Sequence, residues 1–233
     1  MRDPLPVVLV PGLLCTARLY VEQIPALWQF GPVTVADHTR DDTMAGISRR
    51  ILAQAPPRFA LVGLSMGGYV VLEMLRQARE RVAKLALLDT TARPDLPEQT
   101  EQRKLQIEMA RGGRFDGIAK LLFPRFVSVA NQQDRTLKRI VRTMAEETGA
   151  DAFVRQQTAI MGRADSRPSL GAIKCPTLVL VGEQDVLTPP DRAAEIVAGI
   201  PHARQVVVPN CGHLSTLEQP DAVTHALVEL LAQ

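Results

Sequence analysis

An α/β fold with a doubly wound, mostly parallel sheet is predicted by two features of this sequence. Short apolar runs rich in valine and leucine recur along the chain, without the alternation of apolar and polar residues that marks a half-exposed strand. Segments with helical periodicity separate most of these runs, as expected where helices connect parallel strands. We therefore expect one open sheet of about six core strands, with its functional site at the carboxyl ends of the strands.

The apolar runs give the positions of the strands. They cover residues 6–10, 33–36, 59–62, 84–88, 177–181 and 205–208. Between them, Thr43 is a suitable N-cap for a helix over residues 44–54. Proline in the first turn predicts two further helices, over residues 191–198 and 221–231. This alternation is typical of a parallel sheet covered by helices on both faces.

The connection between the fourth and fifth predicted strands is unusually long. It runs from near Asp89 to near Thr177, and its periodicity is helical. Helices are predicted over residues 98–111, after an N-cap at Asp134 and after an N-cap at Asp151. We expect residues 93–170 to form a helical cap over the strand ends, inserted in a core domain made of residues 1–92 and 171–233.

Length and composition limit the classes of protein that this chain can be. With 233 residues, 46% of them hydrophobic, it can bury one large core but is too short for two full domains. The net charge of +2 gives no support for a nucleic-acid or membrane-surface partner. Cys15, Cys175 and Cys211 lack paired spacing, which favours a reducing compartment. No apolar run approaches the roughly 20 residues of a membrane span, and an early apolar run broken by Pro11-Gly12 lacks a cleavage site. We expect a cytoplasmic protein.

The segment Gly63-Leu64-Ser65-Met66-Gly67 directly follows the predicted strand at residues 59–62 and precedes a helical segment. Glycines two before and two after a serine allow a tight strand-to-helix turn that exposes the hydroxyl group at the sheet edge. A serine alcohol is a poor nucleophile at neutral pH, so it needs a nearby base and hydrogen-bond donors for the oxyanion. The pattern predicts Ser65 as a catalytic nucleophile, with the N–H of Met66 as one oxyanion donor.

Four histidines are available as the base, and His213 is in the most suitable position. It follows the last predicted strand within a loop, so its imidazole should emerge at the same sheet edge as Ser65. We expect His225 to lie on a helix face and His202 to lie in a turn. His38 follows a strand end, where a solvated loop residue is the simpler interpretation, although this position also allows it to line the site.

The base needs a carboxylate that holds the correct tautomer of the imidazole. Asp185 is the expected acid, because it follows the fifth predicted strand and precedes His213 in the sequence. Asp89 is the alternative, since it also ends a predicted core strand at the same edge. Glu183 is expected to brace the loop.

A second oxyanion donor is expected from the loop that follows the first predicted strand. Gly12 lets this loop turn closely, and the N–H of Leu13 is the first choice, with that of Leu14 next. Cys15 lies in the same loop, but it lacks an elbow and is interpreted as a packing residue.

Four segments together resemble the α/β-hydrolase superfamily over nearly the whole chain. They are Val10-Pro11-Gly12-Leu13, Gly63-Leu64-Ser65-Met66-Gly67-Gly68, residues 176–185 and Cys211-Gly212-His213. The order Ser, Asp, His along the chain is also that of this superfamily. The resemblance is greatest to small bacterial carboxylesterases, enol-lactonases and esterases of the pimeloyl-carrier-protein methyl ester type. In those proteins the glycine of the oxyanion loop usually follows histidine, whereas here it follows Pro11.

The resemblance implies a cofactor-independent serine hydrolase that cleaves a carboxylic ester through an acyl-enzyme on Ser65. Lactonases, thioesterases, C–C bond hydrolases and perhydrolases or haloperoxidases use the same triad in this superfamily. Serine at the elbow argues against a haloalkane dehalogenase. A non-catalytic binding module that keeps the pocket is a further alternative. Neither metal-ligand spacing nor a glycine-rich phosphate loop is present, so we expect no metal and no cofactor.

The expected substrate is a small-molecule ester, bound under the predicted cap. Candidate pocket residues are Leu14, Leu121, Leu122, Phe123, Phe126 and Met161. The cap also carries basic residues that could meet an acidic acyl-carrier protein, although interspersed acids make a solvated helix surface the simpler interpretation. These residues are Arg114, Lys120, Arg125, Arg135, Lys138, Arg139 and Arg142.

Overall fold

The computed structural model describes residues 4–233, and within them six strands form one sheet. The strands are β1 Val7–Val10, β2 Val33–Val35, β3 Phe59–Leu64, β4 Val82–Leu88, β5 Thr177–Gly182 and β6 Arg204–Val208. Their order across the sheet is β2-β1-β3-β4-β5-β6. All five neighbouring pairs are parallel, so the predicted doubly wound parallel sheet is confirmed.

Ten α-helices accompany the strands in this part of the chain. They are α1 Ile24–Leu27, α2 Met44–Gln54, α3 Met66–Ala78, α4 Pro97–Arg111, α5 Asp116–Phe126, α6 Arg135–Thr148, α7 Ala150–Met161, α8 Pro190–Gly199, α9 Ser215–Glu218 and α10 Pro220–Ala232. The predicted N-cap residue of α2 is confirmed, because the side chain of Thr43 accepts a hydrogen bond from Gly46 N. The predicted cap of α6 is also confirmed, because Asp134 accepts from the N–H groups of Thr136 and Leu137.

Four helices differ from the prediction, of which the one-turn helices α1 and α9 were not predicted at all. Asp151 does not cap α7, because Gly149 takes the N-cap position with a φ of 77° and Asp151 falls in the first turn. Helix α5 is missing from the prediction, because Pro124 is a typical helix breaker. Pro124 lies in the last turn of α5, where the missing N–H costs a single hydrogen bond of a helix that is about to end.

The apolar core lies on both faces of the sheet. Successive side chains of a strand point to opposite faces, so Val7 and Leu9 of β1 pack into one apolar cluster while Val8 and Val10 pack into another. Helices α2, α3 and α8 cover the second cluster. This two-sided burial explains why the strands read as continuous apolar runs in the sequence.

Helices α4 to α7 all lie between β4 and β5, as expected for the long connection. Helix α4 packs on α7, and α5 packs on α6. The division into a cap of residues 93–170 and a core of residues 1–92 and 171–233 stays a prediction, and Phe126 and Phe153 join both parts in one apolar cluster. No helix within residues 4–233 combines the length and the hydrophobicity that a membrane crossing requires.

Candidate active site

Ser65 lies in the one-residue turn between β3 and α3. Its backbone has a φ of 56° and a ψ of −116°, a conformation that residues other than glycine rarely adopt. Two hydrogen bonds hold this turn: Ser65 N donates to Leu88 O over 2.9 Å, and Thr90 Oγ1 donates to Ser65 O over 2.8 Å. The turn therefore has the geometry of a nucleophile elbow.

Gly63 and Gly67 lie two residues before and two residues after Ser65. Neither has a positive φ, so glycine is needed at these positions for lack of space and not for its backbone conformation. A Cβ atom on Gly67 would overlap the backbone carbonyl oxygen of Val10, and one on Gly63 would overlap the carbonyl group of Gly67. The turn can therefore bring helix α3 this close to the strands only if both positions lack a side chain.

The structure brings Ser65, His213 and Asp185 together. His213 Nε2 lies 2.8 Å from Ser65 Oγ, and His213 Nδ1 lies 2.7 Å from Asp185 Oδ2. The carboxylate is held in turn by Leu187 N at 2.8 Å and by Thr188 Oγ1 at 2.7 Å. When Nδ1–H donates to Asp185, Nε2 is left unprotonated and can accept the serine proton.

The electrostatic surroundings suit a base. Burial alone lowers the pKa of His213, but the charge of Asp185 and its hydrogen bond outweigh burial, so the pKa of His213 is raised above its ordinary value. Burial raises the pKa of Asp185, but the charge and the hydrogen bond of His213 outweigh it and lower the pKa of this carboxyl overall. Asp185 is therefore ionised at neutral pH and stabilises a proton taken up by the imidazole.

The loop that carries His213 is fastened to helix α5. Phe126 O accepts hydrogen bonds from His213 N over 3.1 Å and from Leu214 N over 2.9 Å. The Phe126 ring stacks on the imidazole with 6.1 Å between ring centroids. On the other side, Gly212 N donates to Glu218 Oε1 over 2.8 Å. The imidazole is thus positioned by Phe126, far from it in the sequence, and by Glu218, which follows it closely.

Asp89, the alternative acid, does not contact His213. Its carboxylate accepts hydrogen bonds from Gly182 N, over 2.9 Å, and from Ser215 Oγ. Burial, reinforced by the charge of Asp185, raises the pKa of Asp89 to about 8. Asp89 therefore ties the ends of β4 and β5 together, and Asp185 is the carboxylate that bonds to the imidazole.

Two backbone N–H groups near Ser65 remain free to bind an oxyanion. Within residues 4–233, neither Leu13 N nor Met66 N makes a hydrogen bond, and both residues line the same cavity as Ser65. Leu14 N, the second choice in the sequence, donates to Gln156 Oε1 over 3.2 Å. The structure therefore favours Leu13 over Leu14 as the partner of Met66.

His38 lies beneath this oxyanion loop and is only 2% exposed, so the expectation of a solvated loop residue is wrong. Its Nε2 lies 2.9 Å from Gly12 O and 3.0 Å from Gln156 Nε2. The Nε2–H tautomer donates to Gly12 O, whereas the other tautomer accepts from Gln156. Burial lowers the pKa of His38 and keeps it neutral. Gln156, on α7, is fully buried and carries no signal in the sequence that could have identified it.

Ser65 and His213 open into a cavity of about 380 Å³ at the carboxyl ends of the strands. This volume lies in the range of small-molecule sites. Of the predicted pocket residues, Leu122 and Phe126 line the cavity, one helical turn apart on α5. The others do not line it: Leu121 is exposed, Phe123 packs into the apolar core, and Leu14 and Met161 lie outside the lining. Leu122 and Phe126 therefore stay candidates for substrate contact, on one face of α5.

Cys15 also lines the cavity. Burial raises the pKa of its thiol to about 12, so the thiol stays protonated at neutral pH and is a poor nucleophile. In the described part of the chain, no three His, Cys, Asp or Glu side chains are grouped as metal ligands.

Known proteins similar to this chain include enzymes that act on esters. The chain is 27% identical over 212 residues to a pimeloyl-(acyl-carrier protein) methyl ester esterase of Nitrosomonas europaea, covering 86% of this chain and 84% of that protein. It is 28% identical over 211 residues to a 2-hydroxy-6-oxononadienedioate/2-hydroxy-6-oxononatrienedioate hydrolase of Paraburkholderia xenovorans, covering 88% and 73% of the two chains.

The solved structure of a thermophilic esterase from Thermogutta terrifontis, with malate bound, superposes with a TM-score of 0.89 at 32% identity. The superposition covers 98% of this chain and 89% of that one. The model of the alpha/beta hydrolase family matches residues 7–226, which is nearly the whole chain. This match includes the elbow, the oxyanion loop and the histidine loop described above, and the chain belongs to the alpha/beta hydrolase family.

Proposed function

We propose that this protein is a serine esterase that hydrolyses a small or medium carboxylic ester through an acyl-enzyme on Ser65. The observation that carries the proposal is the continuous series of hydrogen bonds from Ser65 Oγ through His213 to Asp185, with distances of 2.8 and 2.7 Å. In this proposal Ser65 is the nucleophile, His213 is the general base, and Asp185 orients the imidazole.

The proposed reaction has two halves. Ser65 Oγ attacks the ester carbonyl carbon while its proton passes to His213 Nε2, and the N–H groups of Leu13 and Met66 bind the resulting oxyanion. His213 then gives the proton to the leaving alcohol, which leaves the acyl group on Ser65. Water attacks this acyl-enzyme with His213 again as the base, and the acid is released with Ser65 restored.

The relatives support an ester as the substrate. One is named a methyl ester esterase and another is the Thermogutta terrifontis esterase, both similar over most of this chain. The dienedioate hydrolase of Paraburkholderia xenovorans extends the range of chemistry among relatives. A panel of esters, lactones and thioesters, scored by kcat/KM, tests the choice of ester, and a lactone or thioester preferred by a hundredfold would overturn it.

The role of Ser65 is tested with a fluorophosphonate probe. We expect a stoichiometric adduct on Ser65 of the native protein and none on Ser65→Ala, whose esterase turnover should fall by about 10⁶. Circular dichroism shows whether the variant is folded. An unlabelled but folded native protein would support the alternative of a non-catalytic binding module, and a Ser65→Ala variant with a tenth of native turnover would remove Ser65 as the nucleophile.

A carrier-bound ester is the second candidate substrate, supported by the name of the Nitrosomonas europaea relative and by exposed cations on α5 and α6. Lys120 and Arg139 are examples that form no ion pair within residues 4–233. Such cations suit an acidic protein surface. Carrier recognition is tested by comparing kcat/KM for a carrier-bound ester with kcat/KM for the same ester in free form. Equal values would exclude carrier recognition.

A further inference from the structure

The cavity around Ser65 is lined by an unusual number of positive side chains. Six arginines line it, from the β4–α4 connection, from α4, α5 and α8, and from the segment after α7. They are Arg93, Arg103, Arg125, Arg163, Arg167 and Arg192. Asp95 is the one carboxylate among the lining residues. A neutral ester needs no such charge, so the charge of the lining bears on the charge of the substrate.

Asp95 compensates only part of this charge, because two arginines share it. Arg103 Nε lies 2.7 Å from Asp95 Oδ2, and Arg163 Nη1 lies 2.6 Å from Asp95 Oδ1. The Arg163 guanidinium also lies over the Tyr69 ring, 4.3 Å from its centroid. These two arginines are fixed parts of the cavity wall, and both pair with the same carboxylate.

Three further arginines pair with carboxylates behind the lining. Glu195 lies 2.9 Å from Arg93 Nε and 3.8 Å from Arg167 Nη1, so it is also shared. The remaining ion pairs are Arg167 with Asp165 and Arg192 with Asp191. The six arginines outnumber the four carboxylates that pair with them by two positive charges, of which the ionised Asp185 behind His213 offsets one.

Arg125 is the lining arginine without a counterion. Within residues 4–233 its side chain forms no hydrogen bond and no ion pair. It directly precedes Phe126, whose carbonyl oxygen accepts from His213 N and whose ring stacks on the imidazole. The backbone that carries Arg125 is thus fixed beside the proposed base, and its guanidinium is free to bind a ligand in the cavity that Ser65 opens into.

We propose that the substrate carries a free carboxylate in addition to the scissile ester, and that Arg125 binds this carboxylate. Guanidinium groups bind carboxylates through two parallel charge-assisted hydrogen bonds, which suits a group placed at a set distance from the reacting carbonyl. The substrate class is a half-ester of a dicarboxylic acid. The inference rests on the proposed esterase function and specifies the substrate of that site.

The test compares monomethyl glutarate and monomethyl adipate with methyl pentanoate and methyl hexanoate, which have the same chain lengths without the carboxylate. We expect kcat/KM of the native enzyme to favour the half-esters by about tenfold or more. The advantage should fall severalfold when ionic strength rises from about 0.05 M to about 0.5 M, because salt screens the attraction. Equal kcat/KM values for both members of each pair would overturn the proposal.

The residue is tested with Arg125→Gln, and Arg139→Gln serves as the matched control. Arg139 is also exposed and unpaired within residues 4–233, but it does not line the cavity. We expect Arg125→Gln to remove the preference for half-esters, mainly through a higher KM for them, and Arg125→Lys to restore part of it. Arg139→Gln should keep the native preference. An unchanged preference in folded Arg125→Gln would exclude Arg125.

Binding to a protein that cannot turn over separates this proposal from the esterase proposal. In Ser65→Ala, calorimetry should detect binding of monomethyl glutarate but at least tenfold weaker binding of methyl pentanoate, which lacks the carboxylate, and the added change Arg125→Gln should abolish the difference. This result stands even if the native enzyme cleaves a different bond. Equal affinity of both compounds for Ser65→Ala would contradict the carboxylate site, whatever the ester panel shows.

Discussion

The pH dependence of turnover follows from the ionisation of His213, whose pKa is lowered by burial and raised by Asp185. A general base must be neutral, so kcat/KM is lost as the pH falls through the pKa of the imidazole in the free enzyme. Because Asp185 raises that pKa, the acid limb should have its midpoint above the ordinary value of about 6.5. A pH profile of kcat/KM on a neutral ester measures it, and a midpoint well below 6.5 would show that burial outweighs the carboxylate.

Asp185→Asn should change both the rate and this profile. Loss of the charge moves the midpoint of the acid limb to lower pH, and loss of the correct tautomer lowers kcat by about 10⁴. Asp89→Asn is the control, because Asp89 bonds to Gly182 and Ser215 instead of the imidazole. It should lower kcat much less. If Asp89→Asn proved the more damaging change, the acid would have to be reassigned.

His38 is a positioning residue for the oxyanion loop, because its imidazole bonds to Gly12 O beneath Leu13. In the proposed mechanism the loop binds charge that exists only in the transition state, so His38→Ala should lower kcat by about tenfold or more with little change in KM. His38→Gln should recover part of the loss. His225→Gln, at an exposed position of α10, is the matched control. A higher KM with unchanged kcat would place His38 in substrate binding instead.

At the scale of single elements, the orientation of helix α5 determines which of its side chains line the cavity. Leu122 lines the cavity, whereas its neighbour Leu121 points to solvent. Leu122→Ala enlarges the pocket and should shift kcat/KM across acyl chain lengths by roughly tenfold or more. Leu121→Ala should leave the profile unchanged. A series of p-nitrophenyl esters from acetate to octanoate measures this, and equal profiles for both variants would exclude α5 from the acyl site.

The turn between β3 and α3 gives a stability test. A Cβ on Gly67 would overlap the backbone of Val10, which cannot move without disturbing the sheet, so Gly67→Ala should destabilise the protein by at least about 2 kcal/mol. Gly117→Ala in α5 is the control, since its Cβ would meet no atom within 4 Å and alanine favours a helix by up to about 1 kcal/mol. Urea unfolding compares the two. Similar midpoints would contradict the close approach.

At the scale of the whole molecule, the sheet was predictable because its inner strands are largely buried on both faces. The runs of valine and leucine in β3 and β5 are long enough to be seen locally, and all six strands appear where they are predicted. Helix α5 was not predicted, because its stability does not come from the local sequence. Its Pro124 argues locally against a helix, and the stabilisation of α5 comes from packing against α6, which the local sequence does not contain.

The sequence alone predicted the six strands and most of the helices between them, and it predicted Ser65, Asp185 and His213 as a site, because turn chemistry and apolar periodicity act between residues that are close in sequence. Only the tertiary structure shows that Leu14 N is already bound, since its partner Gln156 lies 142 residues away. Only it gathered arginines from five segments around one cavity. Packing between residues far apart in the sequence sets these distances, and a local sequence pattern cannot predict such packing.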